Sequence, residues 1–213
     1  MDHRLLTCPL RELAPSDRAG MFRLRARVFA ERLGWSVQLT SDGLEMDRFD
    51  ELPEARYIVA RASDGAVDAC WRLLPTTGPN MLRDVFAPLL HGNPVPHATH
   101  VWELSRFAVD STRLAWEESA GTQQLGFGEL SVALMAESVR WAASHGVVRF
   151  VTVTTTAIER MLRKLGVDVR RLGAPLRVGA VMTVACAIEL NEITRRAVLR
   201  EETEVYADVS VHT

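Results

Sequence analysis

The sequence predicts a single α/β domain, a mixed and twisted sheet flanked by helices. Three observations carry that prediction. Runs rich in β-branched and apolar residues recur at Arg56–Ala62, Val67–Leu74, Val101–Val109, Val147–Thr155 and Val178–Leu190. Segments with helical periodicity alternate with them, at Pro15–Leu33, Glu129–Ser144 and Ile158–Leu165. The early strands are joined by a tight turn and the later ones through helices, so antiparallel and parallel neighbours are both required.

Taken in order, Pro15-Ser16-Asp17 opens the first helix, with Ser16 as its N-cap, and Gly34 stops it. Ser63-Asp64-Gly65-Ala66 is the turn between the first two strands, and Pro75, which lacks an N–H, ends the second. A short helix is predicted over Met81–Leu90, then a loop over His91–His100. Residues 110–128 are polar and glycine-bearing and read as a loop. Gly146 and Gly166 close the two later helices. No repeat, low-complexity tract or linker divides the 213 residues.

At 47% hydrophobic, a chain of 213 residues builds a core without disulfide or metal staples. Cys8, Cys70 and Cys186 show no paired spacing, and no leader or apolar run of about 20 residues occurs. Core thiols and a cytoplasmic location are expected, with no membrane contact. A net charge of -2 and the lack of a basic recognition helix exclude nucleic acid as a partner.

Charge is instead concentrated locally. Asp42, Glu45, Asp47, Asp50, Glu51 and Glu54 face a single Arg48 within 42–54. Arg149, Arg160, Arg163, Lys164, Arg170, Arg171 and Arg177 outnumber Glu159 and Asp168 within 147–177. The first stretch suits a cation and the second an acidic partner, or each is a solvated face. No metal is expected. Asp47 and Asp50 lack the further oxygen ligands of a hard-cation loop, and His91, His97 and His100 lack helical spacing.

Charged residues also stand where the pattern is apolar. Phe22, Arg25, Phe29 and Leu33 share one stripe of the first helix. A guanidinium there either reaches solvent along the helix edge or needs buried carboxylates, for which Asp47, Asp50 and Glu103 are candidates. Glu103 and Arg106 lie in the apolar strand Val101–Val109, and Arg72 lies in Val67–Leu74. Residues three apart point to opposite faces of a regular strand, so a β-bulge is expected between Glu103 and Arg106. The economical arrangement is one polar cluster, with Arg25, Arg72 and Arg106 facing Asp47, Asp50 and Glu103. Such a network serves either a site or the scaffold alone.

The order and spacing of these residues resemble a known family. Arg25-Ala-Arg-Val-Phe29-Ala-Glu-Arg-Leu-Gly-Trp35, then Glu45-Met-Asp47-Arg-Phe-Asp50, Arg72-Leu-Leu-Pro-Thr-Thr and Glu103-Leu-Ser-Arg106-Phe are similar to the acyl-homoserine lactone synthases of bacterial quorum sensing. Val151-Thr-Val-Thr-Thr155 and Glu159-Arg-Met-Leu-Arg-Lys-Leu-Gly166 extend the resemblance, which covers about residues 5–195. It implies a fold similar to GNAT N-acyltransferases. Gln123-Gln-Leu-Gly126-Phe-Gly128 echoes the pyrophosphate loop of those enzymes, though an ordinary glycine loop fits as well.

The resemblance implies a transferase joining an acyl thioester, on acyl-carrier protein or coenzyme A, to S-adenosylmethionine as a consumed substrate. No cofactor is implied, and a monomer is expected. Glu103 is the expected general base, Arg106 the holder of the acceptor carboxylate, and Asp47 and Asp50 the negative surroundings of its cationic groups, with Arg25 and Arg72 fixing their loop. Phe29, Trp35, Arg32 and Phe107 complete the S-adenosylmethionine side. Thr154, Thr152 and Trp71 are expected along the acyl chain, and Arg160, Lys164 and Arg177 against carrier protein. The rival reading is a GNAT-type N-acyltransferase using acyl-coenzyme A and another amine.

Overall fold

The structure, a computed structural model, describes residues 3–110 and 128–199. Its strands are β1 (His3–Pro9), β2 (Arg56–Ala62), β3 (Val67–Pro75), β4 (Val101–Val109), β5 (Arg149–Thr155), β6 (Val169–Arg171), β7 (Leu176–Val178) and β8 (Val181–Glu189). They form one sheet in the order β1-β2-β3-β4-β5-β8-β6, with β7 also paired to β8. β4 and β5 run parallel, and the other described pairs are antiparallel. This is the mixed sheet that the connections required.

Strand alternation sends residues to two helical layers. Ile58, Trp71, Leu73, Leu104 and Phe150 pack with α3 (Glu129–Ser144), α4 (Thr156–Leu165) and α5 (Glu192–Val198). Tyr57, Val59, Cys70 and Leu74 pack on the other face with Met21, Phe22 and Leu24 of α1 (Pro15–Ala26). A smaller cluster joins Leu82, Leu89 and Leu90 to Val151 and Ala185. Among the described residues no helix is long and apolar enough to cross a membrane.

Pairing between β4 and β5 runs from Val101↔Arg149 to Leu104↔Thr152 and stops there. β5 continues against β8 as far as Thr155↔Thr183, and β4 continues against β3 as far as Ala69↔Val109. The sheet therefore opens like a split seam beyond Leu104 and Thr152.

Several boundaries correct the sequence reading. β1 was not anticipated, because His3–Pro9 has no clean polar alternation and is recruited by pairing with β2. The first helix is capped at Ala14 with Pro15 in its first turn, so Ser16 is not the N-cap. It is α-helical only to Ala26 and continues as a π-helix over Arg27–Arg32. The Met81–Leu90 helix is instead α2 (Met81–Asp84) followed by a 3-10 turn at Ala87–Leu90. Val147 and Val148 precede β5. The Val178–Leu190 strand is interrupted after Val178, where Gly179 has φ 57°, and resumes as β8. The Gln123–Gly128 motif and the loop read over 110–128 lie outside the described residues, apart from Asp110 and Gly128.

Candidate active site

The site begins with the bulge between β3 and β4. Cys70 pairs with Ala108 and Arg72 with Ser105, so one residue of β3 opposes two of β4. Arg106 takes the extra position with φ 57°, a left-handed conformation that costs a non-glycine residue about 1 kcal/mol or more. Glu103 and Arg106 share a face, as expected from the sequence, and Ser105 shares it with them. Phe107 turns the other way, edge-on to Trp71 with ring centroids 4.9 Å apart.

Three arginines converge there, Arg25 and Arg72 buried and Arg106 partly so. Arg25 donates to both oxygens of Asp50, at 2.8 and 2.9 Å, and to Glu45. Arg72 donates to Asp47 at 2.6 and 3.0 Å, to Asp50 at 2.9 Å and to Ser105 Oγ at 3.1 Å. Arg106 donates from Nε to Glu45 at 3.0 Å, and its Nη2 makes ion pairs with Glu45 at 2.9 Å and Asp47 at 2.8 Å. Tyr57 adds its hydroxyl to Asp50 at 2.7 Å. The acidic segment is held in place by its own ends. Asp47 caps the 3-10 turn Arg48–Glu51 by accepting from Phe49 N, while Asp50 accepts from Asp47 N.

Burial alone would raise the Asp50 carboxyl, but the guanidinium groups of Arg25 and Arg72 overcome it and hold it far below the usual range. Burial would likewise strip charge from Arg25, and Asp50 and Glu45 more than restore it. The Tyr57 hydroxyl is pushed up by burial and by the Asp50 charge it faces. These side chains form the floor of the site. Arg106 and Asp47 reach its surface, with side chains 10% and 12% exposed, whereas Arg25, Glu45, Asp50 and Arg72 are sealed.

Glu103 departs from the expected arrangement. Its carboxylate joins no described ion pair; it accepts from the backbone N–H groups of Met81 and Leu82, at 2.9 and 2.6 Å. These are donors that the start of α2 leaves unused. Glu45 takes the third acidic place instead, which the sequence reading had not assigned to it. Three carboxylates thus balance three guanidinium groups, and Glu103 is a fourth carboxyl beside a neutral cluster. Burial pushes it up to about 7, against the lowering effect of those two N–H groups and of Arg72 and Arg106. Met81 connects both parts: its sulfur lies 3.2 Å from Arg72 Nη2 and 3.3 Å from Arg106 Nη1.

Phe29 and Trp35 stack at 5.4 Å, and the Arg106 guanidinium lies over Phe29 at 5.4 Å. Arg32 is exposed and donates to the Val109 carbonyl at 3.3 Å. On the other side of β4, the seam between β4 and β5 holds a narrow cavity of about 40 Å³. Trp71, Phe107, Thr152, Thr154, Ile158 and Leu162 contribute to its lining. Phe107, expected on the S-adenosylmethionine side, is among the side chains that line this cavity, as is Arg106. The Thr152 hydroxyl is occupied by the Leu104 carbonyl at 2.9 Å, just where strand pairing ends. Arg160 and Lys164, one turn apart on α4, are exposed, as is Arg177 on β7.

Glu45, Tyr57, Met81 and Ser105 are the members that sequence reasoning missed. Glu45 was legible as a third carboxylate for the third arginine. Met81 and Ser105 offered no comparable signal, because their roles depend on where α2 and the bulge dock.

Both the sequence and the fold are similar to those of known proteins. The sequence matches the autoinducer synthase family over residues 10–198. It is 40% identical over 178 residues to an acyl-homoserine-lactone synthase of Pseudomonas aeruginosa, covering 83% of this chain and 84% of that one. The fold superposes on the acyl-homoserine-lactone synthase LasI with a TM-score of 0.81 and 36% identity, covering 92% and 94% of the two chains. It superposes on TofI, in a ternary complex with an inhibitor and MTA, with a TM-score of 0.74 and 33% identity over 92% and 96%. An acyl-CoA N-acyltransferase of Pseudomonas aeruginosa shares the fold alone, with a TM-score of 0.58 and 14% identity over 87% and 99%.

Sheet, seam and charged cleft together define the class, an enzyme built on the N-acyltransferase fold. The chain belongs to the autoinducer synthase family and is an acyltransferase.

Proposed function

We propose that this enzyme makes an N-acyl-homoserine lactone from S-adenosylmethionine and an acyl group carried on acyl-carrier protein. The observation that carries the reading is Glu103. Its carboxyl is pushed up to about 7, and it sits on β4 beside Arg72 and Arg106 of the charged cluster and next in sequence to Leu104, which lines the seam. A base near neutrality can take a proton from an ammonium group and remain ready to give it up.

The acceptor lies over Asp47, Arg106 and the Phe29–Trp35 pair. Arg106 holds its carboxylate, Asp47 faces its cationic groups, and the aromatic pair meets the adenosine or the sulfonium. Asp50, with Arg25 and Arg72, acts from beneath by fixing the Asp47 loop, because its oxygens are fully engaged. Arg32 guards the exposed rim. Glu103, through one water, removes the proton from the amine. The amine nitrogen attacks the thioester carbonyl, the C–S bond breaks, and the carrier thiol leaves. The methionine carboxylate then attacks its own γ-carbon and expels methylthioadenosine. Negative charge on the thioester oxygen is met by main-chain N–H groups of β4 past Leu104, which have lost β5 as a partner.

The acyl chain enters the seam between Trp71, Phe107 and Thr152, and the Thr154 hydroxyl meets an oxygen on its third carbon; all four residues line the cavity, which supports this reading. Arg160, Lys164 and Arg177 receive the acidic carrier protein. Both substrates belong to the cytoplasm, where we place the enzyme as a monomer needing no cofactor. Coenzyme A chemistry on an unrelated amine would leave the arginine–carboxylate floor without a purpose.

The test incubates the purified protein with S-adenosylmethionine and a panel of acyl-carrier-protein and acyl-coenzyme A thioesters. Mass spectrometry should find a lactone and methylthioadenosine in equal amounts, with carrier-protein donors preferred. An open-chain amide of another amine, or no product, would overturn the reading.

A further inference from the structure

Glu159 is buried, carries a charge and takes no part in the chemistry above. Its side chain is 1% exposed, yet it accepts four hydrogen bonds. Arg171 reaches it from β6 with Nε at 2.9 and 3.0 Å and Nη2 at 2.6 Å, a bidentate fork. Arg163, one helical turn on, adds Nε at 3.0 Å. Hydrogen bonds from Arg171 hold its carboxyl below the usual range, so the clamp is ionic at neutral pH.

The position of this clamp is informative. α4 leaves β5 directly, with Thr155 as its N-cap, at the point where the seam lies open. Ile158 and Leu162 form part of the cavity wall, while Arg160 and Lys164 are on the exposed side of the same helix. Glu159 therefore sits between wall and surface. β6 ends the sheet and pairs only with β8 among the described residues, with Arg171 opposite Cys186. Among the described residues Glu159–Arg171 is the one bond between a side chain of α4 and a side chain of the sheet, the Thr155 cap being made to the Ile158 backbone. The wall is thus tied to the far edge of the sheet at a single point, one residue from Ile158.

The cavity of about 40 Å³ has room for a water or two. A ligand pocket ordinarily has several hundred Å³. An acyl chain can enter only if a wall gives, and α4 is the wall that a breakable link restrains.

We infer that the Glu159–Arg171 clamp is a positioning element that sets how far α4 stands from β4, and thereby the length of acyl chain the enzyme accepts. The inference rests on reading the seam as the acyl site.

The experiment measures kcat/KM for acyl-carrier-protein thioesters of increasing length in the wild type, E159Q, R171Q and I158V. Circular dichroism and thermal melting certify the fold. One methylene misplaced in an apolar pocket changes selectivity by about tenfold or more. E159Q and R171Q should therefore each shift the ratio of longer to preferred chains by about tenfold toward the longer, with KM for S-adenosylmethionine unchanged. I158V, which trims the wall itself, should shift the same ratio. If I158V shifts it and both clamp variants lose activity equally at every length, the clamp is only structural and the inference fails. If no variant shifts it, including I158V, the seam is not the acyl site and the reading beneath fails as well. R171Q alters a half-exposed residue and leaves Glu159 paired to Arg163, so it keeps the test open should E159Q not fold.

Discussion

The two sides of β4 are built on opposite principles. On one side, three arginines and three carboxylates are locked by charge-assisted hydrogen bonds, and little of the cluster reaches solvent. On the other, the seam is lined mostly by apolar side chains in contact, with Ser105 and Arg106 at its border with the charged side and the Thr152 hydroxyl bonded to the Leu104 carbonyl. The charged side is preformed and cannot change one member without stranding another. The apolar side can be resized by any residue that moves a wall. An acceptor that never varies suits the first construction, and donors of several lengths suit the second.

If the charged side is a single unit, removing its centre should have the largest consequence. Asp50→Ala leaves two guanidinium groups and the Tyr57 hydroxyl facing an empty place. It should cost about 3–5 kcal/mol, seen as a lowered urea midpoint or failure to fold. Asp50 is held far below its ordinary value, so its contribution is present above the usual aspartate range and lost as the pH falls through the folded value.

Glu103→Gln should spare the fold and depress kcat by about 10²–10⁴-fold, with S-adenosylmethionine binding nearly unchanged. In the wild type, kcat/KM should drop as the pH is lowered through about 7, as the base takes up a proton. The Gln variant should lose that inflection. Stability moves in the opposite sense. A raised carboxyl favours the folded state fully below about 4.5, and that contribution is lost as the pH rises through about 7. Full activity in Glu103→Gln would remove the proposed base.

On the donor side, replacing Arg160 and Lys164 together by Glu should raise KM for acyl-carrier protein by roughly tenfold, through slower association. Binding of S-adenosylmethionine should not change. Equal weakening toward both substrates would make this face structural. The smallest effect belongs to Tyr57→Phe, which deletes one of several donors to Asp50. It should cost about 1 kcal/mol in chemical denaturation.

The charged side was also the more legible of the two in the sequence. Arg25, Arg72 and Arg106 stood at apolar positions of a helix and two strands, and a cost that large demands partners. The three-residue spacing of Glu103 and Arg106 required the bulge that the structure contains. The identity of the partners was less accessible. Glu45 and Glu103 exchanged places because pairing depends on how a distant loop and α2 dock, which no local pattern encodes. The seam was illegible for a different reason: Val101–Val109 and Arg149–Thr155 read as ordinary strands, and their parting is a property of the pair. The direction of Phe107 was equally hidden, since one extra residue at Arg106 turns the next side chain toward Trp71.

The π-helical stretch over Arg27–Arg32 carries a consequence of its own. A π-turn holds one residue more than an α-turn, so it delays everything after it by about 100° of rotation. Phe29, within the stretch, lies beneath the Arg106 guanidinium, and Trp35, which follows the delay, stacks on Phe29. Excising a single residue between Arg27 and Arg32 would leave a smoother and more regular helix. It would also rotate Trp35 off the face of Phe29, so a regular helix there and that stack exclude each other.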